Sequence, residues 1–294
     1  MWDDPELPRW VGELYLEYHR GTYTSQAWIK RANRRNELLY REAELWAACG
    51  AFVDASGAGL AAQQTDLNAG WRTLLFNQFH DILPGSSIHQ VYVDARADHQ
   101  AIADRGVRVR DAALARLHAA VETGAPALVV TNPAPFARED PVEARLAPGQ
   151  DPAALTDDTG RAVTTQHLDG DGQEARVLVA ATAPPLGYRA YPLGTQAPGE
   201  GGDETLQVTR DLLENRFFRV RLDERAEIVS LLDKRTGREV IAPGETGNRL
   251  IAFEDRPLNF DAWDINIYYT DKPYPVDDVA SWRVVETGPL RGAA

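Results

Sequence analysis

Cysteine is all but absent from this chain. Cys49 is the single one in 294 residues, so no internal disulfide staples the fold, and a reducing compartment is the expectation. Positive charge is scarce as well: 31 Lys and Arg stand against 44 Asp and Glu, a formal charge of −13. That balance argues against nucleic acid and anionic membranes as partners, because both reward clustered basic residues. It leaves neutral ligands open. No apolar run approaches the roughly 20 residues that span a bilayer. The acidic start, Met1-Trp2-Asp3-Asp4-Pro5-Glu6, has no apolar segment of the kind a secretory signal carries. A cytoplasmic location is therefore expected. Several catalytic signatures are missing too: no H-E-x-x-H, no C-x-x-C, no G-x-S-x-G and no phosphate-binding glycine loop.

What is present divides into two halves with different periods. The length suits about two domains, and a 44% hydrophobic content can bury real cores. Residues 1–123 read as helical. Ser25 is a plausible N-cap, and Trp28, Leu38, Leu39, Leu45 and Trp46 then mark one side of a long helix. Lys30, Arg31, Arg34, Arg35 and Arg41 lie between them and read as a solvated basic face. A second helix is expected over 67–83 and a third over 91–121, which makes an antiparallel bundle. The period changes at Gly124-Ala125-Pro126. Strand-like segments follow at 127–131, 163–168, 175–181, 187–193, 215–222, 228–232 and 282–286, with a Pro/Gly/Glu-rich linker near 196–203. Many short strands without helices between them mean a β-sandwich. Because the sequence stops just after a strand signal, that sandwich reads as incomplete. The expected fold is thus α+β and multidomain: a three-helix bundle over 1–123 and a partial antiparallel β-sandwich over 124–294.

The stretch Phe76-Asn77-Gln78-Phe79-His80-Asp81-Ile82-Leu83-Pro84-Gly85-Ser86-Ser87 carries the clearest candidate chemistry. A helix run through Leu83 puts Trp71, Leu74, Leu75, Gln78, Phe79 and Ile82 on one apolar face. At about 100° per residue, His80 then lies roughly opposite Trp71 and points at solvent or at another domain. A helix C-terminus carries partial negative charge, which favours a nearby cation. The pair reads either as an exposed His-Asp at a helix end or as part of a metal site. A catalytic zinc needs about three protein ligands, and this pair supplies at most two. His167-Leu168-Asp169 has an H-x-D spacing that some metal sites use, though it also reads as ordinary hairpin chemistry. Glu13 and Glu17 lie one helical turn apart, as a carboxylate pair or as a solvated face. The residues alone give part of a site at most.

Two segments resemble glycoside hydrolase family 38, the retaining α-mannosidases: Gly12-Glu13-Leu14-Tyr15-Leu16-Glu17-Tyr18-His19-Arg20-Gly21-Thr22-Tyr23-Thr24-Ser25-Gln26, and the run from Asn77 to Ser87. Asn215-Arg216-Phe217-Phe218-Arg219-Val220 with Leu231-Leu232-Asp233-Lys234, and Asn259-Phe260-Asp261-Ala262-Trp263-Asp264-Ile265, agree with it. The resemblance implies a middle helical domain followed by the start of the C-terminal β region. It implies that His80 is a zinc ligand and that Asp81 contacts the mannose bound at the metal. It suggests that His19 and Tyr23, with Gln26, line the mouth of the site or an interdomain contact, and that Asp264 approaches from the β side. The other zinc ligands, the nucleophile and the acid/base group would belong to an N-terminal catalytic domain absent here, so no catalytic residue is assigned in this chain. Partners implied are an α-mannoside, that missing domain and a homo-oligomer. Two rival functions stay open: a non-catalytic carbohydrate-binding or scaffold module, and a subunit that completes a site in trans.

Overall fold

The computed structural model describes residues 4, 6–11, 19–53, 57, 59–147, 150–151, 155–168, 175–193 and 206–294. The expected linker at 196–203 lies outside them. The contacts form two compact units: Met1–Arg116 with Phe253–Pro273, and Leu117–Ala252 with Tyr274–Ala294. Against the expected division at 123/124, the break falls seven residues earlier, and a segment from the β-rich half returns to the helices.

The first unit is built on α1 (Ala27–Val53), α2 (Leu60–Asn77) and α3 (His89–Ala119). Each helix buries one stripe at three- and four-residue spacing, the period of a helix face. In α1 the stripe is Ile29, Asn36, Tyr40, Ala43, Ala47 and Gly50. In α2 it is Gln63, Leu67, Gly70, Leu74 and Asn77, and in α3 it includes Tyr92, Ala95, His99, Ile102 and Gly106. Tyr40 is the keystone. Its ring is fully buried, Gly70 of α2 and Gly106 of α3 close on it, and its hydroxyl donates to the Ile102 carbonyl at 2.9 Å. Burial pushes this phenol up to about 12. Three residues that the periodicity puts in the core lie outside it. Leu38, Leu75 and Phe79 are exposed rather than core. The small and polar members of the true stripes, Gly50, Gly70, Asn36 and Asn77, carry no hydrophobic signal, so the larger neighbours drew the assignment.

The second unit is antiparallel β throughout. β1 (Ala127–Asn132) pairs with β5 (Gly187–Pro192), and β2 (Arg138–Leu146), β3 (Thr165–Leu168) and β4 (Ala175–Ala183) form a sheet in the order β2-β4-β3. Ala144, Leu146, Leu155, Val177, Val179 and Tyr191 make one core, with Leu128 and Val130 against it, so the two sheets share a buried layer. β2 escaped sequence reading because it carries charges and Pro141. Its inward positions nonetheless alternate, Val142, Ala144 and Leu146. A five-stranded meander follows: β6 (Gln207–Val208), β7 (Leu212–Glu214), β8 (Phe218–Leu222), β9 (Ile228–Asp233) and β10 (Arg238–Glu239), in the order β10-β9-β8-β7-β6. The strand expected from Asn215 starts at Phe218 instead. The Asn215 side chain accepts from the amides of Phe217 and Phe218, both at 2.8 Å, and so makes a turn. Lys234 closes it by donating to Glu214 and to the Asn215 carbonyl, each at 2.9 Å. The fold class is α+β, as the sequence suggests.

Candidate functional site

The helix expected to run to Leu83 ends six residues sooner, at Asn77. Asn77 is buried, and its amide donates to the Thr73 carbonyl and to Asp98, both at 3.0 Å. Beyond it the backbone tightens. Gln78 N–H reaches Leu75 O at 3.2 Å, Phe79 N–H reaches Phe76 O at 3.1 Å, and Ile82 N–H reaches Phe79 O at 2.9 Å. His80 and Asp81 therefore sit in consecutive turns, not in the last turn of an α-helix, and the negative end of α2 lies upstream of them. This changes their geometry. Adjacent helical side chains diverge by about 100°, but here His80 Nε2 and Asp81 Oδ2 stand 3.4 Å apart. The His80 side chain is 74% exposed and that of Asp81 46%. The Phe79 ring lies 4.2 Å from the imidazole and tilts 38° to it.

The backbone beneath the pair is clamped. Ser87 Oγ donates to the Asp81 carbonyl at 2.6 Å. The buried Tyr92 hydroxyl accepts from Ser87 N–H at 2.9 Å and lies 3.3 and 3.2 Å from the carbonyls of Asp81 and Ile82. Ile82 and Trp28 pack on the cluster of Ile29, Tyr92 and Ala95. So α1 and α3 together fix the turn.

A second candidate stretch forms the 3-10 turn Gly21–Tyr23 and leads into α1. Ser25 does not cap α1. Its hydroxyl turns back, towards the Gly21 carbonyl at 2.8 Å and the Ala262 carbonyl at 3.3 Å. Gly21 N–H donates to Trp263 O at 2.7 Å, and a Cβ on Gly21 would stand 3.0 Å from that oxygen. His19 sets its ring edge-on to Trp263, centroids 4.9 Å apart, with Nδ1 buried and without a partner among the described residues. Tyr23 is 66% exposed. The third stretch turns at Phe260, φ +57°, whose carbonyl accepts from Trp263 N–H at 2.8 Å and Asp264 N–H at 2.9 Å. The Asp264 carboxylate makes no hydrogen bond or ion pair among the described residues.

Lys30 joins these pieces. It was expected on a solvated face, yet its ammonium donates to the Ser25 carbonyl and, at 2.8 Å, to the Pro84 carbonyl. Burial lowers its pKa. Gly85, at φ +91°, lies so close to Ser25 that a Cβ would overlap its carbonyl. Thus Asn77–Ser87, His19–Gln26 and the 260–264 turn meet at one end of the helical unit. His19 meets Trp263, the chain neighbour of Asp264, and His80 meets Asp81, while no direct bond or ring contact joins the two pairs among the described residues.

Chemically, the exposed pair offers one imidazole nitrogen and one carboxylate, donors that suit a divalent cation or sugar hydroxyls. Among the described residues no group of three or more His, Cys, Asp or Glu gathers as a metal site. The donor set fits zinc only as a partial shell. His167 is exposed on β3, in the other unit. Glu13, Glu17 and Asp169 lie outside the described residues. Sequence reasoning missed Tyr92, Ser87 and Lys30 as supports; Tyr92, at the start of α3 just beyond Pro84-Gly85, was the one signal available.

Residues 17–117 match the alpha mannosidase middle domain, and residues 213–293 match the glycosyl hydrolases family 38 C-terminal domain. Alpha-mannosidase 2C1 of Homo sapiens is 34% identical over 298 residues, 99% of this chain and 26% of the relative. Alpha-mannosidase G of Dictyostelium discoideum is 30% identical over 320 residues, 97% of this chain and 28% of the relative. The chain thus spans roughly a quarter of the length of the curated relatives it matches. A protein in glycosyl hydrolase family 38 from Enterococcus faecalis shares the fold, with a TM-score of 0.59 at 18% identity over 86% of this chain and 37% of that one. With the family's middle and C-terminal domains matched in succession along it, the chain belongs to the α-mannosidases of glycosyl hydrolase family 38.

Proposed function

We propose that this chain serves the hydrolysis of terminal α-mannosidic bonds, with the turn at His80 and Asp81 forming one wall of the mannose site. The observation that carries this reading is the meeting of three separate sequence stretches at the end of the bundle where His80 and Asp81 stand exposed. In the reading, His80 is one ligand to a zinc ion, and Asp81 accepts hydrogen bonds from hydroxyls of the sugar. Zinc held there supplies Lewis acidity and a template for the sugar oxygens. The remaining ligands and both reacting carboxylates come from a catalytic domain outside this sequence. In a retaining double displacement those carboxylates stand about 5 Å apart, one as nucleophile and one as acid/base.

The chain's own residues position and orient. Tyr92 and Ser87 hold the Asp81 carbonyl, so the turn cannot swing when a sugar engages the carboxylate. Phe79 limits rotation of the His80 imidazole. Tyr23 and Asp264 would meet the rest of the glycan at the rim, and His19 braces the rim through Trp263. A cytoplasmic location is part of the reading, supported by the single cysteine.

The test is hydrolysis of an aryl α-mannoside. The 294-residue chain alone should be inactive, and the same chain joined to a family 38 catalytic domain should turn over. In the joined enzyme, Asp81→Asn should lower kcat/KM by about ten-fold to a hundred-fold, the usual worth of a hydrogen bond to a charged group. Turnover by the chain alone, or an unchanged kcat/KM in Asp81→Asn, would refute the assignment.

A further inference from the structure

The first unit carries a concavity formed between α1 and α3. It encloses about 370 Å³ and is lined by Trp28, Arg31, Arg35, Asn36, Arg96 and His99, among others. Arg31 and Arg35 lie one turn apart on α1, and Arg96 faces them from α3. None of the three forms an ion pair or hydrogen bond among the described residues. Nearby arginines behave otherwise: Arg34 meets Glu37 at 3.8 Å, and Arg105 meets Asp66 at 3.0 Å. Like charges at i and i+4 repel on a helix, so this arrangement costs stability unless something negative sits among them. It occurs in a chain of net charge −13, where carboxylates to neutralise it are plentiful.

The floor of the groove also points to an anion. His99 is 5% exposed, and its Nε2 has no partner among the described residues. The protonation state follows from its neighbour. Asn36 Nδ2 lies 3.4 Å from the His99 carbonyl, which can only accept, so that atom is the amide nitrogen. The same nitrogen donates to His99 Nδ1 at 3.1 Å. Nδ1 is therefore the acceptor, and the ring proton resides on Nε2. Burial lowers the His99 pKa, which keeps the ring neutral near pH 7. Nε2–H is thus an unsatisfied buried donor. Arg96 is already held in position by its guanidinium stacking 4.2 Å from the centre of the Trp28 ring. The three guanidinium groups bring net positive charge to this groove, whose other polar lining includes the amides of Asn36 and Gln100.

We propose that this groove is a binding site for a small phosphate monoester. Arg31, Arg35 and Arg96 take the phosphoryl oxygens, and the buried His99 forms part of the floor beneath them. One guanidinium fork satisfies a carboxylate, whereas three lining one groove match the charge of a phosphate dianion. The volume is at the lower end of small-ligand sites, which suits a phosphorylated sugar or polyol. The proposal does not depend on the mannosidase reading, since the groove contains neither His80 nor Asp81.

Calorimetric titration of the chain with inorganic phosphate and with glucose 6-phosphate tests it, with glucose as the uncharged control. Saturable binding of both phosphates, weakening as salt rises, is expected, with none of glucose. The double variant Arg31→Gln/Arg35→Gln and the single Arg96→Gln should each weaken it by about ten-fold or more. Arg41→Gln, outside the groove, should leave it unchanged. All four positions are exposed, so each variant should remain folded, which thermal unfolding checks. The absence of saturable phosphate binding by the folded parent would overturn the proposal. So would equal affinity in the groove variants, or glucose binding as well as its phosphate.

Discussion

At the residue scale, the His80–Asp81 turn depends on groups packed beneath it. Tyr92 is the clearest. Its hydroxyl serves Ser87 N–H and two successive carbonyls, and it is buried where water cannot replace it. Tyr92→Phe should cost about 1 kcal/mol of stability, the net worth of a typical internal hydrogen bond. Thermal unfolding measures that loss, and an unchanged melting temperature would remove Tyr92 from the account. His80 and Asp81 were legible in the sequence because a histidine beside a Pro-Gly break is a recognisable pattern. Their closeness was not, because it follows from the helix ending at Asn77, where a buried amide bonds Thr73 and Asp98. A side chain reaching Asp98, 21 positions away, leaves no local trace.

At the element scale, helices were read from periodicity and their faces less well. The bundle's closest approaches use Gly70 and Gly106 around Tyr40, residues that a hydrophobic pattern passes over. Gly70→Ala makes the consequence measurable. A Cβ there falls inside the Tyr40 phenol, which is tied to the Ile102 carbonyl and closed on its far side by Gly106. Overpacking costs about 1–3 kcal/mol, whereas alanine gains up to about 1 kcal/mol over glycine inside a helix. With the ring unable to retreat, overlap wins, and a net loss of about 1–2 kcal/mol is expected in denaturant unfolding. A stabilised variant would mean that the ring has room. Among the strands, β4 and β9 were legible as apolar runs, while β2 was hidden by its charges and Pro141, although its alternation was there to find.

At the scale of the whole molecule, the β-rich unit has an acid dependence set by its hydrogen-bonded and ion-paired carboxylates. Arg219 and Lys234 hold Glu214 down from 4.5 to about 2, and bonds from Ser230 and the amides of Ile241 and Leu231 hold Glu239 down to about 2. A carboxyl depressed in the folded state contributes fully above its ordinary pKa and loses that contribution as pH falls towards the folded value. Stability should therefore fall between about pH 4.5 and pH 2. Glu214→Gln should be less stable near neutrality and flatter across that window. Equal slopes in the two proteins would contradict the pairing. The division into units shows a further limit of sequence reading. Phe253–Pro273 lies far along the chain yet belongs with the helices, through backbone bonds such as Gly21 N–H to Trp263 O. Such bonds involve main-chain atoms common to every residue, so no residue type announces them.

The measurement that bears most directly on the account is the zinc content of the chain joined to a family 38 catalytic domain, compared with its His80→Ala variant after dialysis against a mild chelator. The account predicts one tightly held zinc in the parent. In the variant, which replaces an exposed side chain and should melt as the parent does, metal affinity should fall by well over ten-fold. Full zinc retention in a folded His80→Ala protein would contradict it.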